Sequence, residues 1–230
     1  MPVLDSSFIN YYGAVMKAIE LLSKEAVRSG WYLNDTMIIG LPSRINNFAD
    51  LDSVMIDMIE ESWEGMWSDV FSASQHRASI LREAKICHEN GLYVASIHIL
   101  LSQTDGLFHD KFQKSYYKKE GKLAKSNLTE ILSKLIETKL NKTLEDELSL
   151  LERSGLFFLR SYIASISETE GDVVRSIGKD EDGNGFVIPN RHGVLHGMHT
   201  NYSSKVNSIK CFTLLLFVST IIGDNNLMGI

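Results

Sequence analysis

Proline occupies only three of 230 positions, Pro2, Pro42 and Pro189. Proline removes a backbone donor and clashes with the preceding turn, so a chain nearly free of it can run long helices without interruption. The stretches between are rich in Leu, Ile, Ala, Glu and Lys, which lose little on entering a helix. Their apolar residues recur at helical spacing. Phe8–Val27 carries Val15, Ile19, Leu22 and Ala26 on one face, and Gly30 ends it. Leu92–Phe112 carries Ile97, Leu100, Leu101, Thr104, Leu107 and Phe108 as a broad stripe. Helices are also expected at Asp50–Glu64, at Met66–His88 after a break at Gly65, and at Ser126–Leu140, Thr143–Ser167 and Ser203–Ile222. Trp31–Ile39 suits either a strand or a helical turn, and Thr169–Asn184 reads as an exposed loop. The sum is an all-α fold. A division is expected between an N-terminal helical region, residues 1–65, and a C-terminal bundle, residues 66–230.

The net charge of −6 argues against non-specific nucleic-acid binding over the whole surface, but leaves room for a local basic cleft. Cys87 and Cys211 form no CxxC pair, lie in apolar-periodic segments and read as small core residues. No basic leader precedes a long apolar run at the start, and Cys211–Ile222 is short for a membrane span, with Lys210 and Lys205 just before it. A cytoplasmic protein without membrane association is expected.

The chemistry concentrates in Asn190-Arg191-His192-Gly193-Val194-Leu195-His196-Gly197. Arginine fixes a phosphate with a planar, permanently charged fork, and histidine moves protons near neutral pH. The two could cleave a phosphodiester without a metal. A second arginine–histidine pair, Arg82 and His88, falls inside an ordinary helix and reads as surface decoration. The motif differs from it by His192, by the two glycines, which let another chain or a ligand approach the backbone, and by helical spacing that would put His192, His196 and His199 on one face.

Pro189 to Gly197, followed by Tyr202 and a lysine-containing apolar helix, resembles the HEPN superfamily. That family consists of antiparallel helical bundles with an Arg-x(4–6)-His motif, and the likeness covers Leu92–Leu107 and Val187–Ile222. Residues 1–65 carry no family signature, so the helices expected there would be additional to that bundle. The resemblance implies a homodimer with two motifs facing each other, and a metal-independent endoribonuclease needing no cofactor. Such enzymes serve toxin–antitoxin, abortive-infection and phage-defence systems. The resemblance implies that Arg191 holds the scissile phosphate. His196 serves as general acid or base for attack by the ribose 2′-hydroxyl, leaving a 2′,3′-cyclic phosphate, and His192 positions substrate or tunes His196.

Asp105 is the candidate polar residue on the facing helix. A carboxylate among apolar neighbours needs a partner, and Arg191 or a histidine would serve; otherwise it is a surface aspartate ahead of a glycine. Tyr202 stands near the position where some family toxins are modified by a partner nucleotidyltransferase, although Met198 occupies that position itself.

Lys111, Lys114, Lys118 and Lys119, with Tyr116 and its aromatic neighbours Phe112 and Tyr117, make a locally basic segment. It would suit either unpaired RNA bases or a solvated helix end with tyrosines covering the bundle. The implied partners are RNA, a second copy of the chain, and an antitoxin or other defence-system protein. Two rival functions remain: a non-catalytic HEPN-like module that binds nucleotide or RNA or acts as an adaptor, and a metal-dependent hydrolase ligated by His192, His196 and His199 with Asp105 or His109.

Overall fold

A computed structural model of the chain describes residues 6–45, 48–117 and 186–223. The expected helices at Ser126–Leu140 and Thr143–Ser167 and the loop at Thr169–Asn184 lie outside these residues. The described part is all-α, with helices packed on helices and no strand.

The order is α1 (Ser6–Arg28), α2 (Asp35–Gly40), α3 (Leu51–Glu61), α4 (Trp63–Ala73), α5 (Ala78–Glu89), α6 (Tyr93–Phe112), α7 (Arg191–Leu195) and α8 (Lys205–Gly223), with 3-10 turns at Leu41–Ser43, Phe48–Asp50 and Gln75–Arg77. The short link Asn90-Gly91-Leu92 makes α5 and α6 a hairpin, with Gly91 at φ +73° supplying the turn. α8 packs against α6 and α4. Every residue of α8 from Ser208 to Val218 is buried. A helix enclosed on all sides is apolar all round, which explains the run that ends this chain. No helix among the described residues is long and apolar enough to cross a membrane.

The core is aromatic where α4, α5 and α8 meet. The Phe212 ring lies 4.6 Å from Trp67 and 4.8 Å from Trp63, centroid to centroid. His88 joins this cluster, 4.8 Å from Trp63, and is buried rather than displayed on the surface as the sequence suggested. Its Nδ1 lies 2.9 Å from Ser208 Oγ; Ser208 Oγ donates to Ser96 Oγ at 3.1 Å, which donates to the Ala84 carbonyl at 3.0 Å. With the hydroxyl protons so directed, Ser208 accepts from His88 Nδ1–H. The chain of bonds ties α5, α6 and α8 together and leaves no serine activated for attack. Burial and the nearby Lys205 hold the His88 pKa below the usual histidine value.

Three sequence expectations change in detail. Gly65 does not interrupt a helix; the break falls at Ser62, and α4 runs through Gly65, whose exposed first-turn position makes its cost small. Met66–His88 is not one helix, because Ser74 and the turn Gln75–Arg77 separate α4 from α5. Trp31–Ile39 divides: Trp31, Tyr32 and Leu33 are buried and non-helical, and Asn34 then caps α2 by accepting from Met37 N at 3.0 Å.

Packing among the described residues runs across position 65. Residues on both sides of position 65, among them Ala26, Trp31, Trp67, Leu101 and Phe212, belong to one hydrophobic cluster. Tyr32 N donates to Thr213 Oγ1 at 3.3 Å, joining the N-terminal region to α8 directly.

Candidate functional site

Asn190 is fully buried and starts α7 from an extended conformation (φ −72°, ψ 123°). Its side-chain Oδ1 accepts from Gly193 N at 2.8 Å, and its carbonyl accepts from Val194 N at 3.0 Å. This N-cap makes Arg191 the first helical residue. Five residues later the helix stops. Gly197 takes φ +69°, its N–H donates to the Val194 carbonyl, and Met198 N donates to the Gly193 carbonyl at 2.8 Å. That pair of bonds is the Schellman ending, which needs a residue at positive φ and so favours glycine.

Arg191 is half-buried, and its guanidinium carbon sits 5.2 Å from the centroid of the Tyr117 ring. Tyr117 is itself buried and donates its hydroxyl to the Leu101 carbonyl of α6 at 2.9 Å. Burial raises the Tyr117 pKa well above the usual tyrosine value, so the ring under Arg191 is a neutral phenol. Among the described residues Arg191 forms no ion pair, and its buried Nε has no hydrogen-bond partner.

His192 and His196 face each other with ring centroids 4.5 Å apart, as the i, i+4 spacing predicts. His196 is exposed and His192 half-buried. The buried His192 Nδ1 also lacks a hydrogen-bond partner among the described residues. One short element thus presents a cation with no anion beside it among the described residues, and two imidazoles in tilted contact.

His199 does not join them. The helix ends before it, and its buried ring turns back onto Gly193, where a Cβ would lie 2.5 Å from His199 Nδ1. Phe186 closes over the ring at 5.1 Å. Gly193 therefore accommodates a histidine of the same chain rather than an incoming ligand. The three-histidine metal reading loses its third ligand by this geometry. Among the described residues no group of three or more His, Cys, Asp or Glu is placed to hold a metal ion.

Asp105 is also committed elsewhere. Its Oδ1 accepts from Ser115 Oγ and from Tyr116 N, each at 2.7 Å. The carboxylate finds its partners in the chain just beyond α6, not in Arg191 or a histidine, and it folds residues 115–117 back so that Tyr117 meets Arg191. It acts as a support for the site.

The same fold corrects the proposed base-stacking role of Tyr116, which is fully buried against Phe108 and Tyr117. Tyr116 and Tyr117 cover the bundle, and neither offers a face to a base. Lys111 and Lys114 are exposed, while Lys118 and Lys119 lie outside the described residues. Tyr202 is half-buried with its hydroxyl 3.4 Å from His98 Nδ1, and burial raises its pKa. His109 is exposed on α6.

The sequence contained a signal for one missed residue. Asn190 is an N-cap residue type placed directly before the helix, although Gly193 stands where a capping box would have Glu or Gln. Tyr117 as the support for Arg191 had none, since a cation over a distant ring depends on how the segment after α6 folds back.

Compared with protein-family models, with curated proteins and with solved structures, the chain matches none.

Proposed function

We propose that the Arg191–His196 element is the catalytic face of a metal-independent endoribonuclease, and that the chain serves a bacterial or phage-defence system as a HEPN-like toxin. The observation that carries this reading is the Arg191 guanidinium, which has no ion-pair partner among the described residues. Arg191 is held against Tyr117 with no carboxylate to neutralise it among the described residues. Leaving a half-buried cation unpaired is costly unless an anion arrives. A phosphodiester fits the fork, and the same short element carries two imidazoles in contact with each other, His196 open to solvent and His192 with a buried nitrogen that has no partner among the described residues.

Arg191 would hold a non-bridging oxygen of the phosphate and stabilise the charge that builds there. One imidazole would take the proton of the ribose 2′-hydroxyl as its oxygen bonds to phosphorus. A second would protonate the departing 5′-oxygen. The products are a 2′,3′-cyclic phosphate and a 5′-hydroxyl, with no water consumed in this step.

Helix geometry favours a homodimer in this reading. Arg191 and His196 are five residues apart, so they point about 140° from each other around a helix axis. Within one chain the arginine packs on Tyr117, while His192 and His196 contact each other. Two copies meeting at this face would bring the Arg191 of each to the His196 of the other. A partner protein that occludes the face would silence it, and an antitoxin or other defence component is the expected class. A cytoplasmic setting suits an RNA substrate.

The test is RNA cleavage in EDTA. The wild-type chain is expected to cleave. Arg191→Ala should lose roughly 10²–10³-fold in rate and His196→Ala roughly 10²–10⁴-fold, with folding unchanged. Cleavage that requires a divalent ion, or that survives both substitutions, would reject the reading. Tight RNA binding with no cleavage in any condition would favour the binding module instead.

A further inference from the structure

The Val187 carbonyl lies three residues before Asn190 and has two close neighbours. The Lys210 Nζ of α8 donates to it at 3.1 Å. Gly30, at φ +87°, approaches so closely that a Cβ there would lie 2.4 Å from the same oxygen. Lys210 is held in turn by the N-terminal region. Its Nζ is 3.5 Å from Asp52 Oδ1 and 5.2 Å from the centroid of the Trp31 ring, and Trp31 Nε1 donates to Asp52 Oδ1 at 2.8 Å.

We propose that Lys210, with Asp52, Trp31 and Gly30, is a positioning device that sets the catalytic motif by fixing Val187. The inference rests on the ribonuclease reading only for its effect on rate; the geometry it asserts is independent of that reading.

A lysine normally snorkels, leaving its stem in the core and its ammonium in water. The Lys210 side chain is only 8% exposed, whereas that of Asp52 is 52% exposed. Asp52 could find water without the lysine, but the lysine has given up its water for these contacts. The acceptor it takes is a backbone carbonyl of the segment that delivers the motif. Ile188, Pro189 and Asn190 are all buried beyond it, and Pro189 fixes one of the intervening φ angles. A shift at Val187 therefore passes to Asn190, and Asn190 carries both the side-chain cap to Gly193 and the carbonyl bond to Val194. The N-terminal region thereby becomes part of the site's frame.

Lys210→Met keeps the stem and removes the ammonium; Asp52→Asn keeps an acceptor for Trp31 and removes the charge. Two readouts apply without any substrate: hydrogen exchange at the Gly193 and Val194 amides, and the imidazole nitrogen resonances of His192 and His196. Lys210→Met is expected to speed exchange at both amides by tenfold or more relative to α6 amides. It should also move the two motif imidazole signals while those of His76 and His109 stay in place. Asp52→Asn should do the same more weakly, and it carries the test should Lys210→Met fail to fold. In the cleavage assay the expected change is a fall in kcat with KM held. Unchanged amide exchange and unmoved motif imidazoles in a folded variant overturn the proposal, whatever the cleavage rates. If those signals respond while the wild-type chain cleaves no RNA, the positioning role stands and the ribonuclease reading falls.

Discussion

The imidazole of His199 occupies the space that a side chain at Gly193 would need, with Nδ1 2.5 Å from where its Cβ would stand. The contact locks the end of the motif back onto its own helix. His199 N also donates to the Gly193 carbonyl at 3.0 Å, so backbone and ring act together.

Gly193→Ala should therefore disturb the motif although alanine is the better helix former. Overpacking of this kind costs about 1–3 kcal/mol. Urea denaturation should show that loss, and Gly193→Ala, His199→Ala should recover much of it by vacating the ring's place. An alanine at 193 that leaves stability unchanged would refute the contact.

Tyr117 supports Arg191 with its ring and bonds α6 with its hydroxyl. Tyr117→Phe removes only the hydrogen bond and should cost about 0.5–1.5 kcal/mol of stability. Tyr117→Leu also removes the aromatic face, so it should weaken binding of inorganic phosphate or a short RNA beyond the effect of Tyr117→Phe. Titration with both variants checks the difference, and equal binding would show that the ring does not matter to Arg191.

His88 is buried in a form that resists protonation, with Lys205 opposing the charge and Glu60 and Glu89 partly favouring it. The unfolded chain takes up this proton near 6.5, and the folded chain only at lower pH. The contribution is therefore complete above about 6.5 and is lost as pH falls towards the folded value. Urea midpoints measured from pH 8 to pH 5 should decline for the wild type and decline less for His88→Gln. A parallel decline in both would place the titration elsewhere.

Asp110 carries the same sign in a more acidic window. Arg77 binds it through two nitrogens, at 2.7 and 2.9 Å, and His76 at 2.6 Å. These partners lower its pKa from 3.8 to about 2. Its contribution is present above 3.8 and is lost as pH falls through about 2. Asp110→Asn should flatten the acid limb of the stability profile; an unaltered limb would show that the ion pair contributes nothing measurable.

The amphipathic helices were legible because each depends on a repeating pattern, and Leu92–Phe112 shifted by only one residue to become α6. The pairing of His192 with His196 was legible for the same reason. Gly65 misled because composition does not show whether a glycine sits inside a first helical turn or ends a helix. His88 misled because its burial depends on α8, whose Ser208 is 120 residues away. His199 and Asp105 were misassigned for one reason: each was read along a helix, while its partner was fixed by a chain reversal, Gly197 in one case and the turn after α6 in the other.

The central claim is attack by a ribose 2′-hydroxyl, directed by Arg191 and His196 without a metal. The most direct measurement is cleavage in EDTA of an RNA and of the same RNA with a single 2′-deoxy sugar at the cut position, with product ends read by mass spectrometry. The account predicts that the RNA is cut to a 2′,3′-cyclic phosphate and a 5′-hydroxyl, and that the deoxy substrate is spared at that position. Cutting at the deoxy position, or products bearing a 3′-hydroxyl, would contradict it.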